Sequence, residues 1–195
     1  MQIHSLTAAF ATPELLSLLE EFRASGLVRH WGVTTYGEAA PLDALDHPQL
    51  FSTLQVPYSA LDRRMEARVF PQALATGSGM VLRSVFLQGL LSDRLSTLPP
   101  HLTALRDLAA PMAQVAGEAG LGLGELALRF AAFSPCAHST IFGTTSSVEL
   151  DANIAAVNAG PLPTDLIAAV RSLEVGDAFN RFLSMNSIRV GSNQH

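Results

Sequence analysis

The sequence predicts a single α/β domain built from about five parallel βα units. Short apolar runs alternate with longer stretches of helical spacing, the pattern of strands joined by crossover helices. Three neighbouring spacings are about the length of the smallest such unit. Hydrophobic residues make up 48% and charged residues 15%, so a substantial core can be buried and a disordered chain is excluded. The whole chain, 1–195, reads as one domain, with 176–195 as a tail of little pattern.

The elements follow in order. Met1 to Leu6 reads as a strand or its end. Thr12 caps a helix that Pro13 opens, because proline lacks only an N–H that would be unpaired there. Leu15, Leu19 and Phe22 lie on one face, and Gly26 closes the helix. His30 to Thr34 is a second strand, with a short helix between Tyr36 and Leu45. Thr53 to Pro57 is a third strand, followed by a helix over Met65 to Thr76. Met80 to Ser84 is a fourth strand, and a Leu- and Pro-rich segment runs from Val85 to Pro100. Helices are expected over Leu102 to Ala119 and Leu123 to Phe133, then a fifth strand over Ser139 to Phe142. Two more helices, Val148 to Val157 and Thr164 to Leu173, complete the reading. Five parallel units are too few to close an eight-stranded barrel.

Composition also narrows the partners. The net charge of −5, from 17 acids and 12 bases, offers no positive field for phosphate backbones, so no nucleic-acid partner is expected. The single cysteine, Cys136, excludes an internal disulfide and fits a reducing compartment. Met1 to Leu6 lacks the features of a signal peptide, and no apolar run reaches the roughly 20 residues of a bilayer span. A cytoplasmic protein without membrane contact is expected. The six histidines show no ligand spacing, so no metal site is expected.

Several motifs then stand in register. Gly26-Leu-Val-Arg-His-Trp-Gly-Val-Thr-Thr-Tyr36 precedes Leu54-Gln55-Val-Pro-Tyr58, which runs on to Leu61-Asp62-Arg63. Val81-Leu82-Arg83-Ser84 leads into Phe86-Leu87-Gln88-Gly89-Leu90-Leu91. Leu126 to Phe130 precedes Ile141-Phe142-Gly143-Thr144, with Asn153 beyond. Together these resemble the fifth to eighth strands of the aldo-keto reductase family, and Gln2-Ile3-His4 resembles the end of its fourth. The resemblance covers roughly residues 1–160 and implies a partial TIM (β/α)8 barrel, N-terminally truncated to strands four to eight.

The resemblance implies an NAD(P)H-dependent oxidoreductase that reduces an aldehyde, ketone or sugar carbonyl to an alcohol. It makes His4 a catalytic candidate that polarises the carbonyl oxygen; the plain alternative is a histidine at an exposed terminus. Thr34, Thr35 and Gln55 would hold the nicotinamide carboxamide, although β-propensity alone also explains threonines on a strand. Arg83 stands where many members stack an aromatic ring on the nicotinamide, and a guanidinium plane can stack too. Ser84, Phe86 and Gln88 fall on the loop expected over the pyrophosphate. Gly143, Thr144 and Ser146 precede a helix, whose N-terminus favours phosphate, or they simply cap it. Asn153 would contact adenine, and Glu149 falls where phosphate-preferring members carry an arginine, so NADPH and NADH both stay open.

The departures matter equally. The family's catalytic aspartate, tyrosine and lysine come from earlier strands and are absent from this chain; Tyr36 and Tyr58, the only tyrosines, belong to other motifs. The truncated chain is therefore expected to be inactive alone. The competing reading is a non-catalytic remnant, or a binding or regulatory module that keeps cofactor affinity. A third is a different (β/α)8 enzyme. An incomplete barrel is expected to leave two open strand edges and an apolar inner face, inviting self-association or a partner.

Overall fold

A computed structural model describes residues 1–6, 9–97 and 103–173. Five strands form one open sheet in the order β1-β2-β3-β4-β5, and all four pairings are parallel. They are β1 (Gln2–Leu6), β2 (Trp31–Thr35), β3 (Phe51–Pro57), β4 (Gly79–Arg83) and the two-residue β5 (Ser139–Thr140). Helices α1 (Pro13–Ala24), α2 (Ala39–Leu45) and α3 (Val69–Thr76) make the first three crossovers. α4 (Thr103–Glu118) and α5 (Leu123–Ala132) lie between β4 and β5, and α6 (Ser147–Asn158) and α7 (Thr164–Ser172) follow. The expected tail, 176–195, lies outside the described residues.

Local chemistry accounts for the ends of these elements. The Thr12 hydroxyl accepts from the Leu15 N–H at 3.3 Å, and Pro13 begins α1. Gly77, at φ 69°, ends α3 in the left-handed conformation that a side chain would strain. The helix expected from Met65 starts later. A 3-10 turn, Arg64–Glu66, comes first, because Arg64 is held back by two bonds of 2.8 and 2.9 Å to the buried Asp62 carboxylate. The segment after β4 forms 3-10 turns at Leu87–Gly89 and Asp93–Thr97.

The two sheet faces differ in chemistry. Val33, Leu54, Val56, Met80 and Leu82 are fully buried and belong to the main core with Phe70, Leu126 and Phe130. Strand residues alternate between faces, so their neighbours point the other way. There the register sets Gly32 beside Thr53 beside Gly79, and Thr34 beside Gln55 beside Val81. The inner face is thus mostly small and polar, which corrects the expected apolar inner face. Reading whole strands as apolar runs hid the period of two. Among the described residues, no helix is long and apolar enough to cross a membrane.

Candidate cofactor site

Parallel strands bring their C-terminal ends to one rim, and the candidate residues are spread along it. On the inner face the Thr34 hydroxyl donates to Gln55 Oε1 at 2.7 Å, and Gln2 Nε2 donates to the same oxygen at 3.2 Å. With its carbonyl oxygen doubly occupied, the Gln55 carboxamide is left to donate through its NH2 group. Gln2 reaches Gln55 across β2 because its register partner there, Gly32, has no side chain. Thr34 and Thr35 are both buried; the Thr35 hydroxyl faces the Gln55 main-chain carbonyl at 3.5 Å.

Arg83 links this cluster to the next. Its Nη2 donates to the Thr35 carbonyl at 2.8 Å and its Nη1 to the Ser84 hydroxyl at 3.0 Å. The guanidinium rests on the Tyr36 ring, and burial holds its pKa below the ordinary arginine value. Nε is buried and makes no hydrogen bond.

Beyond Arg83 the backbone is strained. Ser84, Leu87 and Gln88 have φ of 61°, 46° and 58°, and they are the non-glycine residues with positive φ among those described. Such conformations cost on the order of 1–3 kcal/mol each and cluster at ligand clamps. All three line a cleft of about 870 Å³, within the range of about 300–1,000 Å³ typical of ligand sites. The cleft also receives Phe86, whose ring meets Phe142 edge-on at 5.8 Å across it.

The opposite wall is the turn into α6. Ser146 is the N-cap, its hydroxyl accepting from the Glu149 N–H at 3.3 Å. The Thr144 hydroxyl accepts from the Ser146 N–H at 3.1 Å and donates to Glu149 Oε2 at 2.5 Å. Arg94, from the first wall, donates to Glu149 Oε1 at 2.8 Å. The Thr144 bond, then the Arg94 bond, hold the Glu149 carboxyl below the ordinary carboxylate value. Gly143 and Asn153 line the same wall.

One cleft therefore gathers Ser84, Phe86, Gln88, Gly143, Thr144, Glu149 and Asn153. Thr34, Thr35, Gln55 and Arg83 form the adjoining cluster, and Ser146 serves as the cap of α6. His4 is exposed on the edge strand β1 and does not line the cleft. Sequence reading passed over Gln2, Asp93, Arg94 and Glu125. Arg94 carries no local signal, because its partner lies 55 residues away. Glu125 is engaged by Arg129 at 2.7 Å, which leaves Asp93 as a further acid on the cleft.

The aldo/keto reductase family model matches residues 1–175 of this chain. The chain belongs to the aldo/keto reductase family. Its five βα units are accordingly part of a TIM-barrel architecture. It is similar to the holo form of aldo-keto reductase AKR11C1 from Bacillus halodurans, with a TM-score of 0.72 and 25% identity, over 90% of this chain and 58% of that one. The apo form of the same protein gives a TM-score of 0.71 at 24% identity, over 90% of this chain and 62% of that one. This aldo/keto reductase chain thus spans 58% and 62% of the two solved chains. No protein of curated function matches it.

Proposed function

We propose that this chain grips a reduced nicotinamide dinucleotide along the sheet rim and serves the reduction of a small carbonyl compound to an alcohol. The observation that carries the reading is the continuity of the rim. Gln55 and Thr34 join Arg83 through Thr35, Arg83 joins Ser84, and Ser84 opens the cleft that ends at α6. An extended dinucleotide needs such a track, with amide donors at one end and phosphate-compatible backbone in the middle.

The residues divide the work. The NH2 group of Gln55 would donate to the carboxamide oxygen of the nicotinamide, with Thr34 fixing its direction. Main-chain N–H groups of the strained 84–88 turn other than that of Leu87, and those at the start of α6 other than those of Ser146 and Glu149, would hold the phosphates. Asn153, which lines the cleft, would meet the adenine. His4, on the strand paired to β2, would polarise the carbonyl oxygen. When bound, the reduced nicotinamide supplies the hydride, while the protein supplies orientation and electrostatics.

No proton donor for this chemistry stands among these residues. Tyr36 lies under Arg83. Tyr58 is buried and donates to Glu66, and burial pushes its phenol well above the ordinary value. All 12 basic residues of the sequence are arginines, so no lysine is available either. This favours a second reading, a binding module in which the 195-residue chain holds cofactor without turnover. The buried single thiol of Cys136 fits a cytoplasmic setting.

Titration of the 195-residue chain with NADH and with NADPH, followed by nicotinamide fluorescence, tests the grip. Saturable binding without oxidation of the cofactor by added aldehydes is expected. Absence of binding at about millimolar concentration, near the weak end of useful affinities, would remove the reading.

A further inference from the structure

The Arg94–Glu149 pair joins the two walls of the cleft at the end remote from Gln55. On the proposed reading, this is where the adenosine ribose of the dinucleotide lies. Glu149 stands on the first turn of α6, and both of its carboxylate oxygens are held on the cleft side, one by Thr144 and one by Arg94. Its ionisation is reinforced by those two donors. Asp93 adds a second acid to the same cleft.

Two ligand chemistries would meet this arrangement differently. A ribose with a free 2′-hydroxyl can donate to a carboxylate, which keeps spare lone pairs even when two donors are already bound. A ribose carrying a 2′-phosphate brings a group that is largely dianionic at neutral pH. It would have to take Arg94 from Glu149 and then lie against an uncompensated carboxylate. Like charges brought together there repel, although solvent around the 45% exposed Glu149 screens the repulsion in part.

We infer that Glu149 selects the dinucleotide with a free 2′-hydroxyl, NADH, through the carboxylate that Thr144 and Arg94 hold on the cleft. The inference rests on the dinucleotide reading and adds its charge preference. Arg94 comes from the 3-10 turn Asp93–Thr97 and Glu149 from α6, so the selecting pair exists only when both walls are in place.

The test is titration of the 195-residue chain and of the variants Glu149→Gln and Arg94→Gln with four probes: NADH, NADPH, AMP and adenosine 2′,5′-bisphosphate. Wild type should bind NADH and AMP at least about tenfold more tightly than their 2′-phosphorylated counterparts, a ratio well within reach of one charged contact. Glu149→Gln should remove that ratio, because the carboxylate that repels a 2′-phosphate is gone. Arg94→Gln should keep or widen it. The Glu149 side chain is 45% exposed, so both variants should keep the wild-type melting curve, which is measured alongside. Equal affinity in wild type, an unchanged ratio in Glu149→Gln, or identical changes in both variants would overturn the inference while leaving cofactor binding intact. Failure of wild type to bind all four probes would overturn the dinucleotide reading, and this inference with it.

Discussion

Arg83 holds its guanidinium carbon 4.2 Å from the centroid of the Tyr36 ring while donating to the Thr35 carbonyl at 2.8 Å. One side chain thus ties the ends of β2 and β4 together above β3, at the point where the inner-face cluster meets the cleft. A flat, forked cation is needed, because it stacks and donates in two directions at once. Arg83→Lys should therefore weaken dinucleotide binding about tenfold, and Arg83→Ala should also cost about 1–2 kcal/mol of stability. Parallel cofactor titration and urea unfolding check both figures. An Arg83→Lys protein with unchanged affinity would contradict the assignment.

Gly32 is required by its neighbour on β3. A Cβ built at Gly32 would lie 2.3 Å from Thr53 Oγ1 and 3.0 Å from the Thr53 carbonyl oxygen. Gly32→Ala should destabilise by about 1–3 kcal/mol, the usual cost of overpacking. Adding Thr53→Ala should recover part of that loss and not all of it, since the main-chain contact remains. Urea midpoints of the single and double variants decide the matter.

Arg129 is 8% exposed and makes three bonds: to Glu125 at 2.7 Å, the Gly160 carbonyl at 2.8 Å and the Pro161 carbonyl at 3.0 Å. It anchors the chain that leaves α6. Arg129→Met keeps much of the volume but strands these acceptors, and should cost about 3 kcal/mol. Denaturant unfolding measures the loss. A change below about 1 kcal/mol would show that water replaces the bonds.

Tyr58 is buried against Phe70 and Phe130 and donates to Glu66 Oε1 at 2.5 Å. Burial, then the Glu66 bond, raise its pKa above the ordinary 10.0. Above pH 10.0 the unfolded chain loses this proton first, so the folded state holds more protons and stability falls as pH rises. Below that pH the contribution is fully present. Tyr58→Phe should lose about 1 kcal/mol near neutrality, because Arg171 still holds Glu66 at 2.7 and 2.9 Å. Its alkaline decline should be shallower than wild type. The Cys136 thiol, also raised by burial, gives a decline of the same sign, so the difference between the two proteins is the readout.

Self-association is proposed through the sheet ends. Leu150, Ile154 and Val157 lie at helical spacing on α6, which follows the short edge strand β5 in the chain, and are 44%, 51% and 40% exposed. Light scattering should show concentration-dependent association, reduced by Ile154→Lys. A wild-type monomer throughout would argue against it.

Much of the fold was legible in the residues because its signals are local. Thr12-Pro13 and Gly26 act through their own backbone and nearest turn, and they marked the two ends of α1. Gln55, Ser84 and Thr144 could be singled out for the same reason, since each sits in a short motif. The inner-face chemistry was misjudged because which alternate residue faces the helices depends on register, and register is set between strands.

The sequence by itself determined the parallel βα order, the family and the residue types along the rim. Tertiary structure alone decided how those residues combine. Gln55 becomes a donor only because Gln2 and Thr34 reach its oxygen, and Arg94 meets Glu149 only because two walls converge. The physical reason is one of range. Caps, turns and hydrophobic periods act over a few residues, whereas hydrogen-bond direction and charge pairing act through space between segments that folding alone brings together.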